Sequence, residues 1–276
     1  MSRRRPAVPV KRMSERCATG IFVKNTSDWL AEGTVAFPHR DDYFMLLVLF
    51  EGEARVVVDF RDIVIRAGQG LVLAPGQIHF LKSRETEPDA WCLFVTPDNI
   101  APQAQLSLES YSLTGTPVDI DCATLADMGC LFGMWRRRRS DTDFSRAMVS
   151  ALVRLFCHAG GSEKCGSASR YIAIVLKLRH MLGKHMASEK RPAAYADMLC
   201  ISGVYLNEAV KAVTGMSVSG FIRAQVVLAA KRQLAHSSLT VMEIAASLGY
   251  DDCSYFSRLF RKEAGVTPTG FRKNLG

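Results

Sequence analysis

The chain has 276 residues, 48% of them hydrophobic and 22% charged, which suits a globular protein with enough apolar material for two ordinary domains. No apolar run approaches the roughly 18 residues of a membrane helix. The longest spans only Tyr43 to Phe50, and the basic start Arg3-Arg4-Arg5 is followed by no apolar signal core, so a cytoplasmic chain with no membrane partner is expected. The net charge of +8 is unevenly placed: residues 171–276 hold 14 Lys and Arg against 7 Asp and Glu, and residues 1–170 hold 21 against 20. Such a balance favours a polyanionic partner for the C-terminal part. The 8 cysteines form no Cys-x-x-Cys pair and no zinc-finger spacing with histidine, so reduced, semi-buried thiols are expected and no metal site is read from them.

In chain order, residues 1–20 are basic and aperiodic and read as a flexible arm. From Ile21 to Val95 the pattern is strand-like. Phe44–Phe50 is an apolar run, Gly52 marks a turn, and Ala54–Phe60 continues with β-branched residues. Ile63–Ile65, Leu71–Leu73, His79–Lys82 and Ala90–Val95 follow, punctuated by Gly68, Gly70 and Pro75-Gly76. Short strands at this spacing predict an antiparallel sandwich or small barrel. Helical spacing then begins at Thr124–Trp135 and Phe144–His158. Arg136 to Arg139 read as a solvated turn. The Gly- and Ser-rich stretch 160–169 reads as a linker. Beyond it the pattern is helical throughout: Tyr171–Met186, Ala193–Leu199, Val204–Val213, Phe221–Leu234, Val241–Leu248, Ser254–Ala264 and a last turn from Phe271. The fold class expected is therefore α+β, with a β-rich N-terminal half and an all-α C-terminal domain.

The helical part repeats at an offset of 50 residues. Tyr205 matches Tyr255, Lys211 matches Arg261, Gly215 matches Gly265, and Ser219-Gly220-Phe221 matches Thr269-Gly270-Phe271; upstream, Ala196 falls on Ala246 and Met198 on Leu248. A repeat at one fixed offset points to a duplicated supersecondary unit. Each copy reads as a helix-turn-helix. In the second, Gly249 stands where a helix ends with positive φ. Asp251 or Asp252 can cap the following helix. That helix buries Phe256, Leu259 and Phe260 and exposes Ser254, Ser257, Arg258, Arg261 and Lys262. Gly265 ends it, and Thr267-Pro268 opens another helix. The bland alternative is a helical repeat that contacts only protein.

Residues 194–273 resemble the DNA-binding domain of the AraC/XylS family of transcription regulators. The carrying stretches are Ile244-Ala245-Ala246-Ser247-Leu248-Gly249-Tyr250 and Ser254-Tyr255-Phe256-Ser257-Arg258-Leu259-Phe260-Arg261-Lys262-Glu263-Ala264-Gly265-Val266-Thr267-Pro268. The first unit, Ser202 to Gly215, departs from the family pattern at Glu208, where a basic residue is common, and at Val218, where Pro is common. The resemblance implies an effector-responsive activator that reads two adjacent major grooves of double-stranded DNA and engages RNA polymerase. By position, Val204, Asn207 and Glu208 would face bases in the first groove, and Cys253, Ser254, Ser257 and Arg258 in the second. Glu208 has a second reading, on the connector side away from the bases. Lys211, Arg223, Arg261, Lys262 and Arg272 are the phosphate-contact candidates.

The same resemblance makes residues 21–159 a cupin-like barrel that binds a small-molecule effector or mediates a homodimer through helices Thr124–Trp135 and Phe144–His158, with the DNA-binding domain at residues 170–276. Trp29, His39, Arg40, Tyr43, His79 and Trp91 are the effector-pocket candidates, each with a plainer reading as core aromatic, turn cap or surface charge. A catalytic cupin is the competing class. It normally draws two histidines and a carboxylate from one motif and a histidine from another; with no His-x-His here, a metal triad is not expected, and neither catalytic residues nor a cofactor are read.

Overall fold

The structure, a computed structural model, describes residues 8–28, 37–84, 88–161 and 167–274. Two compact units divide at Cys165 and Gly166.

The N-terminal unit contains strands β1 (Val10–Lys11), β2 (Ile21–Asn25), β3 (His39–Asp41), β4 (Phe44–Glu51), β5 (Glu53–Val58), β6 (Arg61–Arg66), β7 (Gln69–Leu73), β8 (Ile78–Arg84), β9 (Asp89–Val95) and β10 (Val118–Asp119). They form two five-stranded sheets, ordered β1-β3-β8-β5-β6 and β10-β7-β4-β9-β2. Side chains alternate across a strand, so β4 sends Met45, Leu47 and Leu49 into a core shared with Val56, Val58, Ile63 and Ile65 of the other sheet. Its opposite face, Phe44, Leu46 and Val48, packs against Met128, Phe132, Leu152 and Phe156. These belong to α2 (Cys122–Arg138) and α3 (Thr142–Ala159), which follow α1 (Pro102–Thr114). A strand buried on both faces needs no polar alternation, which is why Phe44–Phe50 reads as an unbroken apolar run. Asp121 caps α2 through the Ala123 and Thr124 amides, and Asp141 caps α3 through Phe144. Arg136, Arg137 and Arg138 are exposed in the last turn of α2, where cations meet the negative end of the helix dipole.

Several expectations are corrected. Residues 8–20 are not an arm: β1 pairs in parallel with β3, and Met13 is 2% exposed. The strand expected through Phe60 ends at Val58, because Asp59 and Phe60 turn with φ of 46° and 67°. Two successive positive φ values are those of a tight hairpin turn. Helix α1 escaped the sequence pattern because only Leu108 and Ser112 of it are buried.

The C-terminal unit contains α4 (Ser167–His185), α5 (Pro192–Met198), α6 (Gly203–Thr214), α7 (Val218–His236), α8 (Val241–Ser247), α9 (Cys253–Ala264) and α10 (Pro268–Asn274). Helix α4 thus begins inside the stretch expected to be linker. Helices α5–α6 and α8–α9 are the two repeats. Their second helices lie 50 residues apart, but their first helices lie only 49 apart. Ala196 therefore corresponds to Ala245, not Ala246: the Ile201 and Tyr250 amides donate to the carbonyls of Ala196 and Ala245 respectively. The turn in the second copy is one residue longer. In this alignment Cys200 (φ 54°) occupies the place of Gly249 (φ 75°).

A non-glycine residue in the left-handed region costs about 1 kcal/mol, and Cys200 is exposed. Cys200→Gly is expected to raise the melting temperature, by roughly that free energy. Gly249→Ala is expected to do the opposite and more strongly, by about 2–4 kcal/mol, because an added Cβ would run into the Ala187 carbonyl. Thermal unfolding of both variants checks the pair.

Candidate DNA interface and effector-domain cluster

Each copy presents its second helix with matched caps. Ser202 accepts from the Tyr205 amide to start α6, and Asp252 accepts from Ser254 and Tyr255 at 2.7 and 3.0 Å to start α9. Gly215 (φ 74°) and Gly265 (φ 77°) end them. Leu206, Ala209 and Val210 hold α6 in place, and Phe256, Leu259 and Phe260 hold α9. Helix α8 starts with a capping box between Thr240 and Glu243. Helix α7 joins the copies, and its Val226, Val227, Ala230 and Leu234 pack into the core shared with Ile244, Ala245, Leu248, Phe256 and Phe260.

On α9, Ser254 and Arg258 are exposed, and Cys253 and Ser257 are half-buried. The Arg258 guanidinium stands 4.0 Å from Asp252 and remains 71% exposed, so its donors are available. On α6, Val204 is 73% exposed, and Asn207 and Glu208 are exposed. Asn207 is already engaged, because its carbonyl oxygen accepts from the Val218 amide at the start of α7. A bidentate pairing with adenine would have to share that oxygen.

The cations divide in two. Lys211, Arg261 and Lys262 are exposed. Arg223 instead donates to Glu263 at 2.8 Å, tying α7 to α9, and Arg272 donates to the Leu234 carbonyl at 3.1 Å near the end of α7. Expected as phosphate contacts, these two are first of all ties within the unit.

In the N-terminal unit, β3 and β8 are antiparallel neighbours with His39 directly opposite His79. Two residues along β3, Asp41 falls on the face of His39. All three side chains are buried, at 7%, 5% and 5% exposure. The imidazole rings lie 4.4 Å apart. His79 Nε2 is 3.4 Å from Asp41 Oδ2, and His39 Nε2 is 4.0 Å from Oδ1. Burial and the adjacent His79 push His39 down to about 4, which makes it neutral at pH 7. Burial alone would raise Asp41, yet the two imidazoles hold it below the usual carboxylate range. Burial and the Asp41 carboxylate push the Tyr43 phenol well above its ordinary value. Nearby, Lys11, Glu15, Arg16, Phe22 and Lys24 line a surface cavity of about 390 Å³. Burial and Arg16 lower the Lys11 ammonium to about 8.

Two family descriptions match the chain: a helix-turn-helix domain over residues 195–274 and the AraC-like ligand binding domain over residues 28–109. The chain carries an AraC-type helix-turn-helix domain and an AraC-like ligand-binding domain. It is 44% identical over 63 residues to the HTH-type transcriptional activator RhaR of Cronobacter sakazakii, covering 23% of this chain and 22% of that protein. It is 26% identical over 99 residues to the regulatory protein PocR of Salmonella typhimurium, covering 36% and 33%. The chain thus aligns with a third or less of these relatives' lengths. Among solved structures, the C-terminal domain of AraT, a response regulator from Geobacillus stearothermophilus, covers 37% of this chain and 84% of that one at 32% identity, with a TM-score of 0.35.

Within the AraC-like ligand-binding domain, the effector candidates do not converge on one pocket. His39 and His79 meet, with Tyr43 beside Asp41. Arg40 is exposed on the other face of β3, and Trp91 stacks on Phe132 of α2 at 5.3 Å, a core contact. Trp29 lies outside the described residues. Asp41 was missed, although its His-x-Asp spacing on a strand places it with His39. Without a His-x-His pair, His39, Asp41 and His79 still bring one possible ligand atom each within 4.8 Å of one another.

In the AraC-type helix-turn-helix domain, removing a tie and removing a free cation should differ. Arg223→Ala is expected to lower stability by about 0.2–1 kcal/mol and to change the salt dependence of DNA binding less than Lys262→Ala does. Thermal unfolding and a salt titration of both variants make the comparison.

Proposed function

We propose that the protein is a sequence-specific, effector-responsive transcription activator whose helices α6 and α9 enter successive major grooves about 34 Å apart. The observation that carries this reading is the duplicated helix pair, each copy presenting an exposed second helix with a side-chain N-cap and a glycine C-cap in the more basic part of the chain. Helix α9 carries the polar readout: Arg258 pairs with guanine, with Cys253, Ser254 and Ser257 beside it. Helix α6 reads through Val204 against a thymine methyl and through Glu208 against a cytosine amine, with Asn207 restrained by its bond to Val218. Lys211, Arg261 and Lys262 supply the main phosphate contacts. The activating sign follows the printed name of the RhaR relative and entails a contact with RNA polymerase. The AraC-like ligand-binding domain takes a small-molecule effector, and α2 and α3 are the candidate dimer surface.

The test is selection of bound sequences from random DNA, followed by footprinting. Two protected segments one turn apart are expected. Arg258→Ala should weaken the selected site by about 1–3 kcal/mol and relax preference at one base pair, while Lys262→Ala should reduce the salt slope by about 1 on any sequence. Equal weakening on selected and random DNA by Arg258→Ala would remove its base-reading role. Sequence-blind binding with and without candidate effectors would remove the regulator reading.

A further inference from the structure

We propose that His39, Asp41 and His79 form a binding site for a divalent first-row transition-metal ion within the N-terminal unit. His39 Nδ1 lies 3.1 Å from the Phe37 carbonyl, and His79 Nδ1 lies 3.2 Å from the Gln77 carbonyl. A carbonyl can only accept, so each Nδ1 carries the proton and donates it. In the neutral ring the Nε2 atom is then a bare lone pair. Both Nε2 atoms face the Asp41 carboxylate, so a proton on Nε2, or a metal ion in its place, is what joins them. The two imidazoles and the carboxylate converge in a buried place, and their ligand atoms all lie within 4.8 Å of one another. Asp41 Oδ1 is buried with no hydrogen-bond partner. With the Tyr43 phenol beside Asp41, two imidazoles and a buried carboxylate facing one another form a set that a cation at its centre stabilises.

The donor set names the cation. Two imidazole nitrogens and one carboxylate oxygen suit zinc, iron(II), cobalt or nickel, while calcium and magnesium prefer oxygen-only shells. The two backbone carbonyls that fix the Nδ1 protons are the partners that orient metal-bound histidines in general. The ligands of a tetrahedral ion at about 2.0–2.1 Å lie roughly 3.4 Å apart; the His79–Asp41 pair already has that spacing, and His39, 4.0 Å from the other carboxylate oxygen, has to close in on it. The cross-strand pairing of His39 with His79 makes that closure a side-chain adjustment. The proposal does not depend on the DNA-binding reading.

The test uses the full-length protein stripped of metal and titrated with Co²⁺. Saturable binding of one equivalent is expected, with the visible absorption of nitrogen- and oxygen-coordinated cobalt, no thiolate charge-transfer band, and displacement by Zn²⁺. Asp41→Asn and His79→Gln should each weaken binding by about 100-fold or more, with near-ultraviolet circular dichroism confirming that each folds. A readout on the unaltered protein stands beside these: of the 6 histidines, His39 and His79 should show the Nε2 nitrogen shifts on adding Zn²⁺. No binding, a thiolate-type spectrum, undiminished affinity in Asp41→Asn, or shifts confined to His158, His180, His185 and His236 would each overturn the proposal. So would a wild-type spectrum with His79 protonated on both nitrogens and unmoved by Zn²⁺, since a proton would then hold the place assigned to the ion.

Discussion

A sheet can bury two faces only if something covers each, and in the N-terminal unit β4 has both covered. One face meets the opposite sheet and the other meets α2 and α3. At roughly 25 cal/mol per Å² of apolar surface, a strand of seven consecutive apolar residues contributes most when neither face stays wet. This arrangement also decides where polarity can enter. The apolar positions of β4, β7 and β9 leave no room for a charged group, so the buried imidazoles and carboxylate are gathered on β3 and β8 of the other sheet. Buried ionisable groups are costly unless they are partnered, and here each imidazole is fixed by a backbone carbonyl two residues before it.

How much of this was legible depends on how local the cause is. Helix ends were legible because caps act over three or four residues: Asp252, Gly249, Gly265 and Thr267 all take the roles their chemistry suggested. The apolar run of β4 was legible for the same reason. Strand ends were less so, since the β-branched run toward Phe60 gives no warning of two positive φ values. The two-residue β1 was too short to carry any periodicity. The polar cluster depended on the register between β3 and β8, forty residues apart, which no local pattern encodes. Half of it was within reach, because His39 and Asp41 stand two apart on a strand. Aromatic residues misled in the usual direction: Trp91 is core, stacked on Phe132.

The duplicated helix pairs show how a repeat can drift without losing its geometry. The turn of the first copy is one residue shorter, and it still reaches the same hydrogen bond from the residue after the turn to the alanine carbonyl. To do so it places Cys200 in a backbone conformation that glycine adopts freely. The second copy has Gly249 there, closely backed by the Ala187 carbonyl and by Lys190, whose ammonium donates to the Gly249 carbonyl and lies 4.5 Å over the Tyr250 ring. The strained copy is open around its turn, and the relaxed copy is crowded.

That asymmetry continues onto the exposed surfaces. A residue can read DNA only with donors and acceptors that the fold has left unspent. On α9, Arg258 keeps its guanidinium in solvent, with a single carboxylate at 4.0 Å. On α6, the one amide side chain spends its oxygen on Val218, and the neighbouring group is the anionic Glu208. Among the arginines the same sorting applies, since Arg223 and Arg272 fasten helices while Arg261 stays exposed. Two copies with one architecture thus have different chemistry to offer. At the base-facing positions the second has an arginine and hydroxyls for a polar edge, and the first has an apolar side chain and an acid, with Lys211 a turn further on. A carboxylate beside phosphates is tolerated only where it gains a base amine in return, so the first copy's preference should be narrow where it exists, and its non-specific affinity should rest on Lys211 alone against Arg261 and Lys262 on the second.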